Sequence, residues 1–134
     1  MSAYRRETRR LVGADALPGL DDPCDATLAA YGAAAQRYLR ESARPGPSLI
    51  AYPDRFSELI GGGHVLELGS GPGWDADHLE GHGVRVTRSD ATPRFADLLR
   101  AAGHEAVLID ARGDDFGGPY DGVLADAVLF APAP

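Results

Sequence analysis

The chain has 134 residues, enough to bury one hydrophobic core and near the common size of a single domain. Hydrophobic residues make up 44% and charged residues 25%, which excludes a disordered or fibrous chain, and no apolar run approaches the ~18 residues of a membrane span. The formal charge of −7 leaves no broad basic surface to draw phosphates, so nucleic acid is not expected as a partner.

Residues 1–22 are polar and broken by Gly13, Pro18 and Gly19. Arg5, Arg6, Arg9 and Arg10 lack a following apolar core, so they do not open a signal peptide. They read as a solvated arm, with contact to an acidic substrate or RNA as the sharper alternative. Residues 23–63 form a helical segment. Cys24 is the only cysteine, so an intrachain disulfide is impossible and a cytoplasmic location fits. After Asp25-Ala26-Thr27, an alanine-rich run over 28–41 places Tyr31, Ala35, Tyr38 and Leu39 at three- and four-residue intervals, a helix face. Pro45, Gly46, Pro47 and Pro53 mark residues 42–53 as a connector. Pro53 then opens a short helix over 54–60, and Gly61-Gly62-Gly63 ends it.

From His64 onward the pattern alternates between strand and helix. Strands are predicted over 64–68, 84–88, 105–109 and 121–130, and helices over 74–81 and 93–102. Gly81, Gly83 and Gly103 supply the helix-to-strand turns. This is an α/β pattern with a mostly parallel sheet. The four histidines, His64, His78, His82 and His104, show no metal spacing with cysteine or acids, and no metal site is expected.

The chemistry concentrates in His64-Val65-Leu66-Glu67-Leu68-Gly69-Ser70-Gly71-Pro72-Gly73-Trp74-Asp75. A short buried strand ends in an acid, and three glycines follow on alternate positions. Such glycines let the backbone turn sharply and approach a ligand closely. The next strand ends in Asp90, roughly 20 residues on, where an α/β nucleotide fold places its ribose-binding carboxylate. Asp90 equally suits capping the helix that opens at Thr92-Pro93. The spacing G-x-G-x-G differs from the dinucleotide G-x-G-x-x-G, which disfavours a nicotinamide cofactor. Glu67 faces the ligand side in this reading. A carboxylate there suits an ammonium or sulfonium ligand and repels a pyrophosphate. Its plainer role is to cap the glycine loop.

At these residues the chain resembles the class I S-adenosylmethionine-dependent methyltransferases. The likeness covers residues 65–130: the glycine loop, Asp90, a third strand ending in Asp110-Ala111, and a fourth through Asp126. The resemblance implies a Rossmann-like fold, S-adenosyl-L-methionine as cofactor and a small-molecule acceptor. It implies cofactor contacts from Glu67, Gly69, Ser70, Gly71 and Gly73 in the loop, Asp90 and Ala91 at the ribose, and Asp110 and Ala111 at the adenine. Asp126 would meet the amino-acid end of the cofactor and is the one candidate for a base. Tyr31 and Tyr38 would close over the methionine end, or else pack in the core. Trp74 would stand near the cofactor. Asp75 and Asp77 sit in the first turn of their helix, where acids favour the dipole.

The family's complete sheet has seven strands in the order 3-2-1-4-5-7-6. Here the sequence ends soon after the fourth, at Ala131-Pro132-Ala133-Pro134. Residues 64–134 therefore read as a truncated half-domain that holds the cofactor and lacks most of the acceptor pocket. The edge of the fourth strand would then pair with a second copy or a complementing chain. A methyltransferase and a non-catalytic cofactor-binding remnant of the same fold both remain open.

Overall fold

The structure, a computed structural model, describes residues 23–42 and 51–126. The arginine-rich arm, the 43–50 connector and residues 127–134 lie outside the described residues.

Helix α1 spans Pro23–Glu41, starting five residues before the predicted run. Proline at a first helical position has its fixed φ already suited and no N–H to leave unpaired. Helix α2, Ala51–Ile60, likewise starts ahead of Pro53. The third residue of a helix has no intrahelical use for its N–H, so proline is tolerated there. Ser57 Oγ donates back to the Pro53 carbonyl at 2.8 Å. Gly61, at φ 62°, ends α2 with its N–H on the Ser57 carbonyl.

Strands β1 (His64–Leu68), β2 (Arg85–Asp90), β3 (Ala106–Leu108) and β4 (Gly122–Ala125) form one all-parallel sheet in the order β3-β2-β1-β4. Helix α3 (Trp74–Gly81) joins β1 to β2, and α4 (Pro93–Ala101) joins β2 to β3. The α/β expectation holds. Three of the four strands differ in their limits from those predicted, β3 being one residue shorter at each end. β2 runs to Asp90 because its last residues pair with β3, Ser89 opposite Val107 and Asp90 opposite Leu108. β4 is described over four residues, and the predicted continuation over 127–130 falls outside the description.

Alternation along the strands sorts two cores onto the two sheet faces. Val65, Val84, Val86 and Leu124 pack with Ala76 and Leu79 of α3, and Phe56 and Ile60 of α2 close over them. On the other face, Leu66, Leu68 and Ile109 pack with Val107, Ala111, Phe116, Tyr120 and Ala125. Gly122 opens β4 because α2 crosses it closely: a Cβ there would lie 2.5 Å from Ile60 Cδ1. Helix α1 leans on α4 through an aromatic cluster, with Phe95 5.9 Å from the Tyr38 ring and 6.4 Å from Tyr31.

Candidate functional site

Parallel strands end on the same edge of their sheet. That edge here carries Glu67 near the end of β1, Asp90 at the end of β2 and Asp110 just beyond β3. The glycine loop leaves β1 between them, with Gly69, Gly71 and Gly73 at φ 66°, 49° and 83°. L-residues with side chains seldom adopt such values, so the glycines are what the turn requires.

The loop is stitched to β2 by hydrogen bonds that sequence alone did not reveal. Ser70 N–H donates to the Ser89 carbonyl at 2.7 Å, and Ser89 N–H returns a bond to Ser70 Oγ at 3.1 Å. Ser89 Oγ, fully buried, donates to the Glu67 carbonyl at 2.7 Å. Ser70 Oγ donates to Glu67 Oε2 at 2.6 Å. Glu67 thus holds the loop through a hydroxyl rather than through the loop's N–H groups. Its side chain shares a face with Val65, beneath α3, and is buried. Burial pushes the Glu67 carboxyl from an ordinary 4.5 up to about 8, against the pull of the Ser70 hydroxyl.

Asp90 serves both the loop and the next helix. Its Oδ2 accepts Gly71 N–H at 3.0 Å, and its Oδ1 accepts Thr92 N–H at 2.8 Å. Thr92, rather than Asp90, is the N-cap of α4, and Asp90 braces that capping residue from the end of β2. The Thr92 hydroxyl bonds the same carboxylate, so of its roughly four acceptor positions about one is left for a further donor. Burial raises the Asp90 carboxyl above its usual range, and the Thr92 and Gly71 N–H groups partly offset that.

Two glycines of the loop do different work. A Cβ on Gly73 would meet Leu99 Cδ2 at 3.1 Å and Arg88 Nε at 3.2 Å, so Gly73 is held by packing. A Cβ on Gly71 would meet nothing within 4 Å. The loop therefore turns an open face at Gly71, beside the Asp90 carboxylate.

Ala91 is half-buried between Asp90 and Thr92, and Trp74 is half-buried at the start of α3. Asp110 is gripped by Arg112, whose Nε lies 3.0 Å from both carboxylate oxygens; these bonds hold the Asp110 carboxyl below its usual range. Arg112 also reaches Asp25 of α1 at 2.9 Å. Ala111 packs on the face opposite the helices. Asp126 follows β4 at the same sheet edge and is exposed. Tyr31 lies in the aromatic cluster of α1 and α4.

Arg88 is the main residue that the sequence reading missed. It stands opposite Glu67 in the β1–β2 register and is 1% exposed. Its guanidinium forks onto Glu80 at 2.9 and 3.0 Å and reaches Asp77 at 2.8 Å, while Nε is buried without a partner. The available signal was the pair of acids three residues apart on α3, facing a strand arginine. Asp77, read as a dipole acid, is also an anchor for this cation.

The fold brings an acid to two of the histidines. His78 and His82 lie one turn apart on α3, and α2 brings Asp54 to them, so that one ring nitrogen of each and an Asp54 oxygen lie within 4.8 Å of one another. The i, i+4 spacing was visible in the sequence, but the third group is 24 residues away from His78 and only the packing of α2 on α3 supplies it. Neither a scan against protein-family models nor a search of curated proteins finds a match for this chain.

Proposed function

We propose that the chain is an S-adenosylmethionine-dependent methyltransferase of Rossmann-like build, acting on a small molecule. One observation carries the reading. Three acids stand at the ends of three adjacent parallel strands around a glycine loop whose Gly71 faces open space beside the Asp90 carboxylate. The strand order β3-β2-β1-β4 supports it, since it is that of the first four strands in the resembled family. Among the described residues, the rim has acceptors for ribose hydroxyls and no cluster of cations suited to a pyrophosphate.

The donor set fits the cofactor at two points. Asp90 has acceptor capacity left for a hydroxyl donor, and the open face at Gly71 admits a ligand close to the backbone. When bound, S-adenosylmethionine would supply an activated methyl group on a sulfonium. Glu67, Ser70 and Ser89 keep the loop in one shape, so the ordering of the loop precedes binding. Asp110 would first have to loosen Arg112 to face an adenine. Asp126 remains the candidate for a base at the acceptor.

The hold of Arg112 on Asp110 favours the second reading, a cofactor-binding module of the same fold without turnover. Binding of labelled S-adenosylmethionine followed by a methyl-transfer screen separates the two. Saturable binding with transfer to a small acceptor is the expected result. Saturable binding without transfer to any acceptor leaves the module, and no binding at all overturns both.

A further inference from the structure

A second cluster lies away from the glycine loop, between α2 and α3. His78 and His82 are one helical turn apart, so their rings leave α3 on the same side. The ring centroids are 4.6 Å apart. Asp54 of α2 faces them, with Oδ1 2.7 Å from His78 Nε2 and 3.5 Å from His82 Nε2. His82 Nδ1 lies 2.9 Å from the His78 carbonyl. A carbonyl only accepts, so Nδ1 carries a proton, and Nε2 is the nitrogen that faces Asp54.

We propose that Asp54, His78 and His82 bind a divalent transition-metal ion of the zinc class. The ligand types suit such an ion: two imidazoles and one carboxylate, with a backbone carbonyl orienting one imidazole. The three candidate ligand atoms lie within 4.8 Å of one another. Tetrahedral bonds of about 2.0–2.1 Å put ligand atoms roughly 3.3 Å apart. The Asp54–His82 separation already fits, and the Asp54–His78 pair opens by about 0.6 Å to reach it. The side chains leave room for this and for a water as fourth ligand: His82 and Asp54 are 47% and 48% exposed, and His78 23%. Asp77, Glu80 and His104 also come together, but Arg88 already holds both of those carboxylates. An ion at Asp54 has no such competitor among the contacts of its three ligands, and it would tie α2 to α3.

The test is a zinc chloride titration of the full chain by calorimetry, with a thermal melt alongside. The expected result is one saturable equivalent at micromolar zinc, and a melting temperature that rises with zinc concentration. His82→Ala and Asp54→Asn should each weaken that binding at least about ten-fold. Both side chains are half-exposed, and circular dichroism checks that the variants fold. His104→Ala and Cys24→Ser should bind zinc as the unaltered chain does. The proposal falls if the chain shows no saturable zinc binding below the millimolar range. It falls equally if His82→Ala binds as tightly as the unaltered chain, or if His104→Ala or Cys24→Ser removes the binding.

Discussion

Glu67 makes the stability of this fold depend on pH in a direction opposite to that of most carboxylates. The folded chain keeps the Glu67 proton up to about pH 8, whereas an ordinary glutamate gives it up near 4.5. Between those values the folded state binds more protons than the unfolded state. Stability is therefore fully present below about pH 4.5 and is lost as pH rises toward 8. At about 1.4 kcal/mol per pH unit, the ceiling on that loss is on the order of 5 kcal/mol. Local relaxation and water entry around a buried charge lower that ceiling, so a loss of a few kcal/mol is expected. Glu67→Gln keeps the shape and an acceptor for Ser70 but cannot ionise. Urea unfolding at about pH 5 and about pH 9 measures the difference. The unaltered chain should lose a few kcal/mol more than Glu67→Gln over that interval. Asp90 also carries a raised pKa, but it is present in both chains and cancels in the comparison. Equal pH slopes for the two chains would show that Glu67 is not held protonated by burial, and the reasoning would be refuted.

Asp90→Ala removes the partner of two backbone N–H groups, Gly71 and Thr92, as well as a proposed ribose contact. It should weaken S-adenosylhomocysteine binding by roughly 1.5–3 kcal/mol and lower the melting temperature as well, both readable by calorimetry. Gly71→Val and Gly73→Val should part company: each strains a positive φ, but only at Gly73 does the side chain strike Leu99 and Arg88. Binding should be lost in the folded Gly71→Val variant, whereas Gly73→Val should be several kcal/mol less stable in urea. Arg88→Met fills a similar volume without a buried charge and should leave stability within about 2 kcal/mol, because Asp77 and Glu80 can turn to water. Arg88→Ala adds a cavity and should cost about 2–5 kcal/mol, so equal denaturation midpoints for the two Arg88 variants would contradict this account.

The parts of the fold legible in the sequence were those set by local pattern. The strand over 64–68 and the helix over 74–81 have the limits predicted, because glycines punctuate both sides of each. The start of α1 was placed five residues late because an alanine-rich run has no sharp amphipathic onset. The predicted site residues Glu67, Ser70, Gly71, Gly73 and Asp90 do come together, since strand order and the loop place them. What the sequence hid were contacts across the fold. Nothing local marks Arg88 as buried, because alternation treats it as any other strand residue until α3 lays Asp77 and Glu80 over it. The same holds for Arg112, which reaches Asp25 from 87 residues away. Asp54 joins His78 and His82 only through helix packing. Tyr31 was open between cofactor and core, and its ring stands with Phe95.

The central claim is that the open face at Gly71, beside Asp90, receives S-adenosylmethionine. Titrating the unaltered chain separately with S-adenosylmethionine, S-adenosylhomocysteine and NAD by calorimetry tests it most directly. The account predicts one saturable site for each of the first two ligands and much weaker binding of NAD. Tighter binding of NAD, or no saturable binding of either adenosyl ligand, would contradict it.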